Sequence, residues 1–443
     1  MALKDFILAP IALTFFYALL YFFKKRLTTQ ETTRYFIPAF TLKVIGAISL
    51  GLIYHFYYSG GDTVNYFSDG KVIYTALMED FLSGLDLLFR EVDPDSMINY
   101  KYRSHLIFYR DPHSYFVSRI IAIISLFCMN SYSAIAIVFA AFSFVGNWAM
   151  YRVFIKLYPS LYKELAIAIL FLPSVVFWGS GIMKDSITFG AIGLLFYSFH
   201  YLLVEKRFTV RNLVLLLFSM YLIFSIKIYI LICFLPPMLI WLFLRSTDGV
   251  KNKFYLTVLK PLFLIGGMVA SFSLINKITE DDDKYSLETI GKTAETTADW
   301  LDYKGKLDGG SNYSFGEVFD GSPSSAIRLA PQSFVVTYFR PFPWEVRNPV
   351  MLLSALESFG VLLYFFYAVI VIIKFKPKFL FNPPRVVMVF TLFALVFGIA
   401  IGMTSMNFGT LVRYKIPSLP FFVAGMIILV YESKRKRSAI FQP

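Results

Sequence analysis

The chain has 443 residues, 57% hydrophobic and 19% aromatic, with only 16% charged. Soluble domains hold about 45–50% apolar and about 25% charged residues, so one core cannot absorb this excess. A soluble enzyme, a disordered chain and a disulfide scaffold are excluded; a polytopic membrane protein remains. The formal net charge of +13 suggests nucleic acid on a soluble protein, but here its placement reports topology, and no nucleic-acid partner is expected. Cys128 and Cys233 both lie in apolar runs and offer neither a disulfide framework nor a metal site.

In chain order, apolar stretches near 6–23, 38–57, 131–150, 164–178, 187–204, 212–226, 229–244, 255–274, 350–373, 386–402 and 416–431 read as eleven transmembrane helices of one all-α domain spanning 1–443. The first has no small-residue cleavage site and reads as a span rather than a signal peptide. Arg119 interrupts the apolar stretch 114–129, which reads as an interfacial helix; were it to cross, every later basic cluster would change sides. With it kept at the interface, basic residues near 24–34, 152–163, 206–211, 245–253, 374–385 and 434–437 fall on one side, expected to be cytoplasmic together with the C-terminus. The localisation expected is the plasma membrane. The segments 58–130 and 275–349 then face outward, and they hold 21 of the 29 acidic residues.

The second span ends in Tyr57-Tyr58-Ser59-Gly60-Gly61-Asp62-Thr63-Val64-Asn65-Tyr66. Two glycines allow a tight turn that sets Asp62 at the membrane face, where it either caps the next helix or has a functional carboxylate. Residues 72–90 read as one amphipathic helix on the bilayer. Asp111 and His113 then bracket Pro112; His113 reads as a proton shuttle, a ligand or an interfacial anchor.

A span ending in Gly-Gly-Asp-x-x-x-Tyr, followed by a long outer loop with surface helices, resembles the GT-C superfamily of integral-membrane glycosyltransferases. The resemblance implies sugar transfer from a polyprenyl-phosphate donor at the outer leaflet, with Asp62 as general base or cation ligand. The chain departs from that pattern by its additional first span. Further on, FWGSGIMKDS (177–186) is similar to membrane proteins of bacterial exopolysaccharide loci. It carries Lys184 and Asp185 at membrane depth, where charge is costly enough to suggest function. A second acid in this loop also agrees with the resemblance, and Asp185 is the second catalytic candidate; as a structural alternative it caps the following helix.

The acidic run 280–283 offers oxygen ligands for a divalent cation, Mg or Mn, or is simply solvated. Arg340, Trp344, Glu345 and Arg347 surround two prolines, giving aromatic faces for sugar or interface and forked donors for phosphate or lipid head groups. Arg413 and Lys415 sit in the last outer turn, against the positive-inside trend, and are expected to face a carrier phosphate or to snorkel. The partners expected are a polyprenyl-phosphate-linked sugar, a glycan or lipid acceptor, and membrane lipids. The mechanism expected is a one-step inverting transfer. A polymerase or ligase of lipid-linked repeat units is the neighbouring alternative, and a lipid or solute transporter the non-enzymatic one.

Overall fold

The computed structural model describes residues 3–93, 99–246, 292, 295–300, 303, 312–315, 319–320, 322–380 and 383–438. Among them the protein is helical, with one isolated antiparallel bridge between Asn312 and Asn407. It is an all-α polytopic membrane protein. Among the described residues seven helices are long and apolar enough to cross a membrane, or eight when a pair bent by 66° counts as one span.

The expected spans map unevenly onto these helices. Helix α1 (Asp5–Leu27), α2 (Thr33–Leu52, prolonged by a π-turn over Ile53–Tyr57), α7 (Tyr132–Leu157) and α10 (Lys184–Phe199) account for four of them. The segment between α2 and α7 forms α3 (Asp62–Glu79), α4 (Phe81–Phe89), α5 (Tyr100–Arg103) and α6 (Pro112–Cys128). The stretch 164–178 is not one span: α8 (Tyr162–Leu170) stops, and α9 (Pro173–Phe177) is a separate short turn. Pro173 explains the break, because proline lacks the amide and disfavours helical backbone at the residue before it. The two spans read at 212–226 and 229–244 fall in one element, α11 (Val210–Ser246), interrupted where Lys227 adopts φ −150°, ψ 73°. Beyond it lie α12 (Pro323–Phe339), α13 (Pro349–Phe375), α14 (Arg385–Ser405), α15 (Phe408–Tyr414) and α16 (Leu419–Ser438), the last two forming the bent pair. The span at 255–274 and the acidic run 280–283 lie outside the described residues.

Local sequence explains many boundaries. Ser131 caps α7 by accepting from the Ala134 amide. Ser322 and Asn348 do the same for α12 and α13, each followed by proline at the first helical position. The helix expected over 72–90 is two helices, because Asp80 leaves the helical region at φ −143° and caps α4 through the Ser83 amide.

The chain divides into two compact units. The first comprises residues 1–162, 175–200 and 209–227. In it α1 lies outermost and buries only Asp5, with Phe6 and Phe22 exposed, as lipid-facing side chains are. Helices α2 and α7 run antiparallel: Gly51 meets the Tyr132 ring, and Phe36 packs edge-on against Trp148. Helices α7 and α10 run parallel, since Gly146 faces Gly190 and Gly193 while Phe154 meets Phe196. A β-carbon on Gly146 would stand 1.9 Å from the Gly190 carbonyl oxygen, so only glycine permits this backbone contact. Parallel packing puts the first residues of α7 and α10 at the same end of the unit, the end where α1 begins and α2 finishes.

The second unit comprises residues 163–174, 201–208 and 228–443. Its centre is an aromatic stack, in which Tyr338 lies 4.3 Å from Phe422 between ring centroids and donates or accepts a 2.7 Å bond with Ser418. Phe234, Phe393 and Phe421 continue the stack edge to face.

Candidate functional site

The turn before Asp62 forms as the glycines require: Gly60 and Gly61 have φ of +145° and +117°, which other residues rarely adopt. Asp62 is the first residue of α3 rather than its cap, and it is half-buried. Its neighbour Thr63 shares a 2.7 Å hydrogen bond with the Tyr132 hydroxyl, tying the start of α3 to the head of α7.

Four residues expected at a site assemble at this same end of the unit. Asp185, in the first turn of α10, receives a 2.6 Å ion pair from Lys227, with side-chain exposures of 2% and 7%. The adjacent Lys184 stands 3.6 Å from the Asp111 carboxylate. Asp111 also accepts a 2.5 Å hydrogen bond from Ser114 Oγ, which fixes the entry of α6. His113 Nδ1 lies 3.0 Å from the Ser225 carbonyl oxygen, two residues before the interruption in α11. His113 therefore anchors α6 to that helix.

The approach to Asp111 is held by a residue not expected to act. Asp69 is fully buried in α3 and accepts 2.8 Å bonds from the amides of Ile107 and Phe108. Burial pushes its carboxyl above the usual range, and the two amide donors offset that in part. Arg119, which interrupts the 114–129 stretch, donates to the Leu87 and Arg90 carbonyls at the end of α4. Its charge is thus spent on the carbonyl end of a surface helix, a favourable place for a cation.

Deeper in the unit, Lys43 of α2 is fully buried and donates to Val175 O at 2.8 Å, Gly179 O at 2.9 Å and Ser143 Oγ at 3.1 Å. Its ammonium also lies 4.6 Å from the Phe189 ring centre. Non-helical backbone is tolerated at membrane depth only when its carbonyls and amides are satisfied by protein or by water. Lys43 supplies that satisfaction for the 175–179 segment leading to Lys184.

The second unit holds the remaining candidates. Arg340 forms an ion pair with Glu345, and its guanidinium sits 5.0 Å from the Phe408 ring centre. Burial alone would raise the Glu345 carboxyl, but Arg340 and the Phe342 amide outweigh it and hold it below its ordinary value. Trp344 stacks on Phe342 at 4.8 Å and remains 73% exposed. Arg347 is exposed ahead of α13, and Arg413 is half-buried in α15. Lys415 differs from expectation: it is fully buried at the bend between α15 and α16 and donates 2.8 Å to Ser358 Oγ. Ser358 in turn donates to the Arg340 carbonyl. Glu357, beside it, accepts 2.7 Å bonds from both the amide and the hydroxyl of Ser174.

The chain matches no protein-family model, no curated protein and no solved structure.

Sequence reasoning missed Lys43, Lys227 and Glu357. Each carries the same signal, a single charge inside a long apolar run, which is a functional or structural flag by default. Among the described residues no three His, Cys, Asp or Glu side chains converge as metal ligands. Asp111 and Asp185 each already face a lysine ammonium, and that donor set repels a divalent cation. These two carboxylates therefore do not suit Mg or Mn.

Proposed function

We propose that this protein is a membrane glycosyltransferase that moves a sugar from a polyprenyl-(pyro)phosphate donor to a glycan or lipid acceptor. The proposed setting is the outward face of the plasma membrane. One observation carries the reading. The half-buried Asp62 and the Asp111–Lys184–Asp185–Lys227 cluster share the end of the first unit where the membrane-length helices α2, α7 and α10 finish or begin.

In this reading Asp62 accepts the proton of the acceptor hydroxyl while that oxygen attacks the anomeric carbon. The bond from that carbon to the phosphate oxygen breaks on the opposite face, inverting the centre, and the phosphate leaves with the electron pair. Lys184, beside the Asp111 carboxylate at the head of α10, is the cation proposed to meet developing phosphate charge. Lys227 neutralises Asp185 and so acts as a positioning residue for the head of α10.

Purified protein in proteoliposomes, given a radiolabelled polyprenyl-phosphate sugar, tests the proposal. Asp62→Asn should lower transfer by about 10²–10⁴-fold, the range a general base contributes, while leaving thermal unfolding unchanged. Full transfer by that variant removes Asp62 from the mechanism.

A second reading, transport, is favoured by the broken α9 and the buried Lys43, because discontinuous helices with charges in the membrane interior are a transporter feature. Recovery of the donor chemically unchanged on the opposite side of the vesicle supports transport; a glycosylated acceptor supports the transferase.

A further inference from the structure

The first unit has a cavity of about 400 Å³ that takes no part in the proposed chemistry. It is lined by Lys4 and Asp5 at the start of α1, Gly51 and His55 at the finish of α2, Val64, Phe67 and Lys71 on α3, and Asn130 and Tyr132 at the entry to α7. Helices of membrane-spanning length begin or end at every one of these places except α3. The cavity therefore lies at one membrane surface, beside the lipid-facing side chains of Phe6 and Ile7.

Its polar groups are of two kinds. Lys4 and Lys71 bring two ammonium groups; Lys4 donates to the Met129 carbonyl, and Lys71 forms no ion pair among the described residues. Asp5 supplies one opposing charge, held by a 2.5 Å bond from Ser131 Oγ and by the Ser133 amide. Asn130 is 96% buried, and its side-chain Oδ1 has no hydrogen-bond partner. A buried acceptor left without a donor is destabilising, so a bound donor there is stabilising. The neighbouring Tyr132 hydroxyl is bonded to Thr63 and makes no hydrogen bond to Asn130 Oδ1.

We infer that this cavity is a binding site for a phospholipid whose head group carries both a phosphate and an O–H or N–H donor, as phosphoglycerol and phosphoethanolamine head groups do. The phosphate meets Lys4 and Lys71, the head-group donor meets Asn130 Oδ1, and the acyl chains follow the apolar wall of α1. The volume falls in the ordinary range of ligand pockets, about 300–1,000 Å³. The inference does not depend on the glycosyltransferase reading, since no residue of that reaction lines the cavity.

Native mass spectrometry of the detergent-purified full chain tests it, using dioleoyl phosphatidylglycerol, dioleoyl phosphatidylcholine and inorganic phosphate as probes. Phosphatidylcholine has the phosphate and the chains but no head-group donor. Phosphatidylglycerol should be retained at least tenfold better than phosphatidylcholine, and inorganic phosphate should not compete it off. Lys71→Gln, at an exposed position, should weaken retention about tenfold. Asn130→Gly removes the acceptor and suits the left-handed φ of +52° at that position, and it should erase the preference over phosphatidylcholine. Equal retention of the two lipids, or unaltered retention by both variants, overturns the proposal. Displacement by inorganic phosphate alone assigns the cavity to a free anion and overturns the lipid assignment.

Discussion

One buried acid in each unit, Asp185 in the first and Glu357 in the second, meets a different kind of partner. In the first, Asp185 and Lys227 neutralise one another directly, and neither has more than 7% of its side chain exposed. In the second, Glu357 and Lys415 are met by serines: Ser174 gives Glu357 two hydrogen bonds, and Ser358 accepts from Lys415. An ion pair is strong only while both members are present, because removing one strands a buried charge. A charge held by hydroxyls loses less when it is replaced by a neutral group of the same shape, since the donors keep an acceptor. The Asp185–Lys227 pair should therefore be brittle to the loss of either member, and Glu357 tolerant of an isosteric neutral replacement.

Lys227→Met breaks the comparison most severely if it is right. It should cost about 3–5 kcal/mol by leaving Asp185 unpaired. The double variant Lys227→Met with Asp185→Asn should recover most of that loss, as read by thermal unfolding in detergent. A double variant no better than the single one would show that the pair is not what holds α10 to α11. Next in size is Lys43→Met, which withdraws the ammonium from two carbonyls and a hydroxyl. A loss of about 1–3 kcal/mol is expected, together with faster backbone hydrogen exchange over 175–183. Glu357→Gln should cost less than Lys43→Met, about 1 kcal/mol, because the amide oxygen still accepts from Ser174. An equal or larger loss would show that Glu357 is needed for its charge and not only as an acceptor for Ser174.

The smallest effect expected is a pH dependence. Glu345 is held below its ordinary value of 4.5, so its contribution to stability is complete above that pH and is lost as pH falls through the lower folded value. Comparing unfolding temperatures from pH 6 to pH 3 in wild type and Arg340→Gln should show a shallower acid-side decline in the variant. Identical declines would mean that Arg340 does not set the Glu345 carboxyl.

Much of this arrangement was visible from residue order. The apolar runs marked six of the long helices, and Gly60-Gly61 marked the turn that opens α3. Asp111, His113, Lys184 and Asp185 each stood out as ionisable groups beside apolar sequence. What residue order could not supply was the pairing. Asp185 and Lys227 are 42 positions apart and meet only because α10 begins beside the break in α11. Nor did it show every place where helices stop within apolar sequence: the break near 227 separates two spans read from sequence, but Leu172-Pro173 interrupts the stretch 164–178 that reads as one. Lys415 was misplaced for a similar reason. The positive-inside trend assigns a side to a cation, but it cannot tell a surface lysine from one folded into a bend against Ser358.

Lys43 also bears on how the protein is made. The three groups that satisfy its ammonium lie 100, 132 and 136 residues further along the chain. Synthesis at about 5–20 residues per second separates Lys43 from the last of them by roughly 7–27 s. For that interval α2 enters the bilayer with a cation whose insertion into a helix centre costs about 2.5–3.5 kcal/mol. A nascent chain cut off before Gly179 should hold α2 loosely at the translocon. One extended past that glycine should release it into lipid, so that membrane integration of the second helix waits on sequence beyond the next span.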